Sequence, residues 1–275
     1  MQRICAPSCG TCQVLDHKFH CPLNETEPDT LKPGDVNKLF QRIVHDEYYQ
    51  QYEPAIRSMP NPNEIQMKEG IVDGPWVLVL EKFLTFEECD RLIELGAIEG
   101  YKASMDVGKK NFDGSYQKVN HGGRTSTNAW CTNKCYQDEV TKRVGARMEN
   151  LTGIPEANAE HFQLLRYAQG QFYHTHHDYI PYQVERQMGV RTLTVFLYLN
   201  DVVAGGGTEF PSLGLTVQPK KGRAVIWPSV LDEDPNAKDD RTHHGALPVE
   251  VGIKYGANAW LHQRDFKAPY AVGCI

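Results

Sequence analysis

His176 and Asp178 stand two residues apart in the run from Tyr167 to Asp178, an aromatic-rich stretch with the texture of a strand. Residues i and i+2 of a strand share a face, so this imidazole and carboxylate can meet one metal ion. His177 faces the other way, and His174 shares the face but lies one pleat further off. A second imidazole can come from the pair His243-His244. Periodicity leaves both open, because successive strand residues point to opposite faces. Two imidazoles and one carboxylate on one side of an ion leave three adjacent positions free, the arrangement of non-haem Fe(II) oxygenases. A zinc hydrolase on a similar barrel is the competing metal chemistry.

Holding these groups together requires strands that fold back on one another. After residue 160 the chain reads as short apolar strands at 161–168, 171–177, 191–199, 214–218, 223–227, 247–250 and 254–262, separated by Gly, Pro and Asp clusters. Regularly spaced short strands predict a mainly β fold, a double-stranded β-helix or jelly roll with flanking helices. Upstream, helical spacing of Val36, Leu39, Phe40, Ile43 and Val44 predicts a helix from Asp35 to about Met59, stopped by Pro60-Asn61-Pro62-Asn63. Trp76–Leu80 reads as a buried strand, and Thr85 with Glu88 three residues on reads as the capping box of a helix carrying Cys89, Leu92, Ile93 and Leu95. A further helix is expected from Gln137 to Leu151, a glycine-punctuated loop at 100–123, and an acid-rich, solvated loop at 228–242 carrying Asp232, Glu233, Asp234, Asp239 and Asp240. The division expected is a Cys-rich arm over 1–35, a helical lead-in over 36–74, a catalytic domain over 75–266 and a tail over 267–275.

At 275 residues, 40% hydrophobic, the chain can bury a large core. The net charge of −6, with acids and bases interspersed, gives no general attraction to polyanions, so nucleic acid is not an expected partner. No apolar run approaches the roughly 18 residues of a membrane span, and Met1–Cys5 does not read as a signal peptide. Eight cysteines, at 5, 9, 12, 21, 89, 131, 135 and 274, favour disulfides. Cys5, Cys9 and Cys12 lack the second ligand pair that a zinc knot needs. Cys131 and Cys135 are near enough for a local bridge; Cys274 has no evident partner. With the sequons at Asn24 and Asn150, this points to the secretory pathway, in the endoplasmic reticulum or Golgi lumen.

Three groups of residues carry a family resemblance. They are Tyr167-x2-Gly170-Gln171-x-Tyr173-x2-His176-x-Asp178, Gly205-Gly206-x-Thr208-x-Phe210-Pro211, and His244-x3-Pro248-Val249-x2-Gly252-x-Lys254. Together they resemble the Fe(II)- and 2-oxoglutarate-dependent prolyl 4-hydroxylases of the plant, algal and collagen type. Phe83, Cys89, Arg124, Ser126, Trp130 and Glu160 extend the likeness over residues 75 to 266. The resemblance selects His244 as the third ligand beside His176 and Asp178. It implies Fe(II), 2-oxoglutarate, O2 and ascorbate as cofactors and cosubstrates. Lys254, assisted by Tyr167 and Thr208, would hold the distal carboxylate of 2-oxoglutarate. Trp130, Glu160, Tyr173, Arg191, Trp260 and His262 would line a groove for a proline-rich peptide, hydroxylated at C4 of proline. Apart from the resemblance, a monomer is expected.

Lys254 also has a physical motive, since a buried ammonium is costly unless an anion accompanies it. Peptidyl lysine or a free amino acid is the alternative substrate, and a non-catalytic jelly roll binding proline-rich glycoproteins is the alternative class. Two features depart from the family. Gly205-Gly206-Gly207-Thr208-Glu209 replaces the usual Gly-Gly-Glu-Thr, and the segment from Asp178 to Arg191 is short. The cysteines at 5, 9 and 12 resemble the tail of a six-cysteine toxin-like module whose other half is missing.

Overall fold

The computed structural model describes residues 21–23, 26–110, 116–119 and 122–275. Cys5, Cys9, Cys12 and the Asn24 sequon lie outside them. A nine-stranded sheet runs in the order Val72–Asp73, Pro54–Met59, Val77–Leu80, Ala224–Pro228, Arg191–Tyr198, Lys254–His262, Gln163–Tyr167, Thr127–Trp130, Lys102–Ala103. A four-stranded sheet of Leu215–Val217, Thr208–Phe210, His244–Ala246 and Tyr173–His176 makes the second layer of the jelly roll.

Alternate residues of the large sheet build two cores. Val77, Val79, Phe196, Tyr198, Val225 and Trp227 join Phe210, Leu215 and Val217 between the sheets. Leu78, Leu80, Leu193, Val195, Leu197 and Ile226 pack outward against Leu39, Phe40, Leu92 and Met148 of the helices. Because both faces are covered, these strands are apolar at nearly every position, and that is why they read clearly in the sequence.

Among the described residues the long helices are Asp35–His45, Phe86–Glu99 and Glu139–Thr152, with short ones between and after them. The capping box at Thr85 and Glu88 is present, and Glu88 also receives Arg143 and Arg147. Asp138 caps the third helix, two residues after its expected start. The first helix ends well before Met59. Asp46 instead caps a 3-10 turn over Glu47–Tyr52, and Pro54–Met59 is a strand antiparallel to Val77–Leu80. The segment expected as a helical lead-in thus supplies two strands of the large sheet.

The 100–123 segment carries strands Lys102–Ala103, Asp106–Lys110 and Tyr116–Val119, the last two paired as a hairpin, rather than only loop. The 228–242 segment is less solvated than its acids suggest. Asp239 is buried, and Asp232 accepts from the Asn37 backbone N–H and side chain.

Two disulfides form among the described residues. Cys131–Cys135 is the local bridge, and Cys21–Cys274 joins positions 253 apart in sequence. The arm is docked rather than free. Thr30 N–H donates to Gln263 O, Leu31 exchanges hydrogen bonds with the Gln263 amide, Asp29 pairs with Arg264, and Leu31 is buried in the outer core. Cys89 is a buried free thiol whose pKa burial pushes up to about 12. Among the described residues no helix is long and apolar enough to cross a membrane.

Candidate active site

The strands Tyr173–His176 and His244–Ala246 run antiparallel, with His244 directly opposite His176. Asp178 follows two residues beyond His176, just past the strand end. The three side chains offer ligand atoms within 4.8 Å of one another. Asp178 Oδ2 lies 3.4 Å from His244 Nε2, and Oδ1 lies 3.8 Å from His176 Nε2.

Backbone carbonyls fix both imidazole tautomers. His176 Nδ1–H donates to His174 O at 2.9 Å, and His244 Nδ1–H donates to Thr242 O at 3.0 Å. Each leaves an Nε2 lone pair aimed inward, the state that binds a metal. Burial and the neighbouring His244 ring lower the His176 pKa to about 3, so it stays neutral. Burial would raise the Asp178 carboxyl; the two imidazoles, Arg191 and a 2.6 Å hydrogen bond from Thr194 Oγ1 outweigh this and hold it below the usual carboxylate range. His177 does face away, its Nε2–H donating to Asp239 O. His243 Nδ1–H donates to Asp240 O, outside the cluster.

Lys254 begins the nine-residue strand Lys254–His262, in register with Tyr167. It is fully buried, and its Nζ has no hydrogen-bond partner among the described residues. The ammonium lies 5.3, 5.0 and 5.4 Å from the ring centroids of Tyr167, Phe196 and Tyr198. Burial lowers its pKa to about 7. Thr208 Oγ1 accepts from Tyr198 Oη at 2.7 Å. At Gly206 (φ +70°) a Cβ would sit 3.3 Å from Lys254 Cδ, and at Gly207 2.6 Å from Thr216 Cγ2. Close approach at both positions accounts for the run of glycines where the family carries an acid.

The other end of the same strand carries Trp260 and His262. Glu160 Oε1 accepts from Arg191 Nε at 2.6 Å and from His262 Nε2 at 2.9 Å. Arg191 lies 3.8 Å over the Trp260 ring. Burial would raise Glu160, but the Arg191 charge and the His262 hydrogen bond hold it at about 2. Trp130, Glu160, Tyr173, Arg191 and Trp260 line a cavity of about 1110 Å³ that includes His176 and Asp178. His262 is fully buried and does not line it; it stands behind Glu160.

Sequence reasoning missed Thr194, Phe196 and Tyr198. They occupy alternate positions of Arg191–Tyr198, so one strand face both steadies Asp178 and surrounds Lys254. Their spacing by two was visible, but an apolar strand gave no reason to single them out.

The donor set, two neutral imidazole nitrogens and one carboxylate with open positions, fits Fe(II), and the orphaned ammonium fits a carboxylate cosubstrate. The model of the 2OG-Fe(II) oxygenase superfamily matches residues 162–262. Probable prolyl 4-hydroxylase 7 of Arabidopsis thaliana is 32% identical over 223 residues, covering 73% of this chain and 67% of that protein. Prolyl 4-hydroxylase subunit alpha-1 of Rattus norvegicus is 38% identical over 153 residues, 53% of this chain but 28% of that longer protein. The viral collagen prolyl hydroxylase of Paramecium Bursaria Chlorella virus-1, in its 2OG complex, superposes with a TM-score of 0.54 at 27% identity, covering 69% of this chain and 97% of that one. On this likeness over most of its length, the chain belongs to the prolyl 4-hydroxylase family of 2-oxoglutarate- and Fe(II)-dependent oxygenases.

Proposed function

We propose that this chain hydroxylates peptidyl proline at C4 in proline-rich or collagen-like proteins. The proline and 2-oxoglutarate take one oxygen atom each from O2, giving 4-hydroxyproline, succinate and CO2. The observation that carries the reading is Lys254, a buried cation without an anion in the same barrel as a compact His-Asp-His set. A zinc hydrolase would leave that ammonium without a purpose.

His176, Asp178 and His244 would hold Fe(II), which with 2-oxoglutarate and O2 supplies the oxidising power to remove the C4 hydrogen and return a hydroxyl. Lys254 donates to the distal carboxylate of 2-oxoglutarate, with Tyr167 and the Thr208 hydroxyl beside it. Its apolar surroundings strengthen that ion pair by excluding water. Thr194 donates to Asp178 Oδ2 and so fixes the orientation of the carboxylate that would help to hold the ion. Glu160 and His262 hold Arg191 flat against Trp260, and Trp130, Tyr173 and Trp260 offer aromatic surface to an extended polyproline peptide.

Ascorbate is proposed as the reductant that restores iron oxidised without product, and the working form as a monomer. The two disulfides support residence in an oxidising lumen of the secretory pathway.

The test is succinate formation by the Fe(II)-loaded protein with 2-oxoglutarate and ascorbate, with and without a poly-proline peptide, and mass analysis of the peptide. Peptide-stimulated succinate with one oxygen added to proline is expected. Slow succinate that the peptide does not stimulate would reject proline as the substrate, and no succinate would reject the oxygenase.

A further inference from the structure

Tyr270 lies beyond the stretch that the superfamily model matches, yet it stands in the wall of the catalytic cavity. It belongs to the short helix Lys267–Ala271, and it is 39% exposed, the same as Trp130 across the lining. Exposed aromatic surface inside a cavity is surface that a ligand can cover.

Its ring is held by others. His262 stacks on Phe266 at 5.2 Å, Phe266 stacks on Tyr270 at 5.6 Å, and His161 and Tyr136 continue the row at 4.8 and 4.7 Å. The row therefore starts at the histidine that donates to Glu160. Beyond the helix, Cys274 is tied to Cys21, and the arm is clamped through Thr30, Leu31 and Asp29 to Gln263 and Arg264. A ring fixed from both sides loses little entropy when a partner lands on it.

We propose that Tyr270 contacts the substrate, as an aromatic platform for a proline ring flanking the reacting one, and that the Cys21–Cys274 bridge positions it. This rests on the peptidyl-proline reading. A cavity of about 1110 Å³ takes several residues of an extended peptide. Polyproline II returns to the same face every three residues, so a proline-rich substrate presents further rings at regular steps.

The experiment measures KM and kcat for a poly-proline peptide, and KM for 2-oxoglutarate, in the Fe(II)-loaded wild type, Tyr270→Ala, Tyr270→Phe and the double variant Cys21→Ser/Cys274→Ser. Serine variants are used because a reductant would also open Cys131–Cys135. Tyr270→Ala is expected to raise the peptide KM about three- to tenfold, with kcat within about twofold. Tyr270→Phe keeps the wild-type KM, since the ring is what matters. The serine double variant raises the peptide KM in the same direction, and adding Tyr270→Ala to it gives little more. A wild-type peptide KM in Tyr270→Ala, or a parallel loss of kcat and of both KM values, overturns the proposal. Wild-type enzyme that the peptide does not stimulate overturns the prolyl reading itself, and Tyr270 with it.

Discussion

Two cations stand at opposite ends of one strand pair, Lys254 fully buried and Arg191 13% exposed, and the protein treats them differently. Arg191 is neutralised from within: Glu160 lies 2.6 Å away, His262 braces the carboxylate, and Trp260 covers the guanidinium plane. Lys254 is fully buried with rings around it and no anion. A paired charge is a fixed surface on which something else can be bound. An unpaired one carries a desolvation cost that is relieved either by giving up its proton or by an incoming anion.

The largest expected effect lies at the paired end. Glu160→Ala strips Arg191 of its partner and is expected to cost about 3–5 kcal/mol of folding stability, read by urea unfolding. Lys254→Met is expected to leave stability unchanged or increased, because it removes a charge that nothing in the protein compensates; a loss as large as that of Glu160→Ala would erase the contrast. The same Lys254→Met is expected to raise the 2-oxoglutarate requirement by about 10- to 100-fold while sparing peptide binding. Equal loss of both would mean that the lysine supports the barrel. At the metal, Thr194→Val is expected to raise the Fe(II) requirement about tenfold, with Thr194→Ser restoring it.

The smallest effect is in the pH dependence. The Lys254 pKa falls from the usual 10.5 to about 7 through burial, so between these values the unfolded chain carries a proton that the folded chain lacks. Stability from this group therefore rises with pH across that window and is flat below it. Binding of 2-oxoglutarate above pH 7 is expected to take up as much as one proton, measurable by calorimetry in buffers of different ionisation enthalpy; Lys254→Met is expected to remove both signatures.

Legibility in the sequence followed burial on both faces. Arg191–Tyr198, Ala224–Pro228 and Lys254–His262 were readable nearly to the residue, because each carries a block of apolar, aromatic or β-branched residues bounded by turns. Pro54–Met59 was not: Arg57 and Ser58 interrupt it, and the helical spacing before it runs on without a break in pattern. Thr127–Trp130 and Thr208–Phe210 are too short to show a period. The histidine and aspartate of the metal site stood out by residue type, whereas Thr194 is an ordinary strand residue until its partner is seen. The Cys21–Cys274 pairing depends on the whole fold bringing the two ends of the described chain together, which no local pattern encodes.

The pairing of His244 opposite His176 has a consequence for assembly of the enzyme. A slip of one residue between these strands would turn His244 outward and bring His243 or Gly245 inward in its place. An ion held by His176, Asp178 and His244 would thus act as a gauge of alignment. Metal captured by all three ligands would stabilise only the chain whose small sheet has zipped in step, so iron loading would discriminate well-folded molecules from misaligned ones before any substrate arrives.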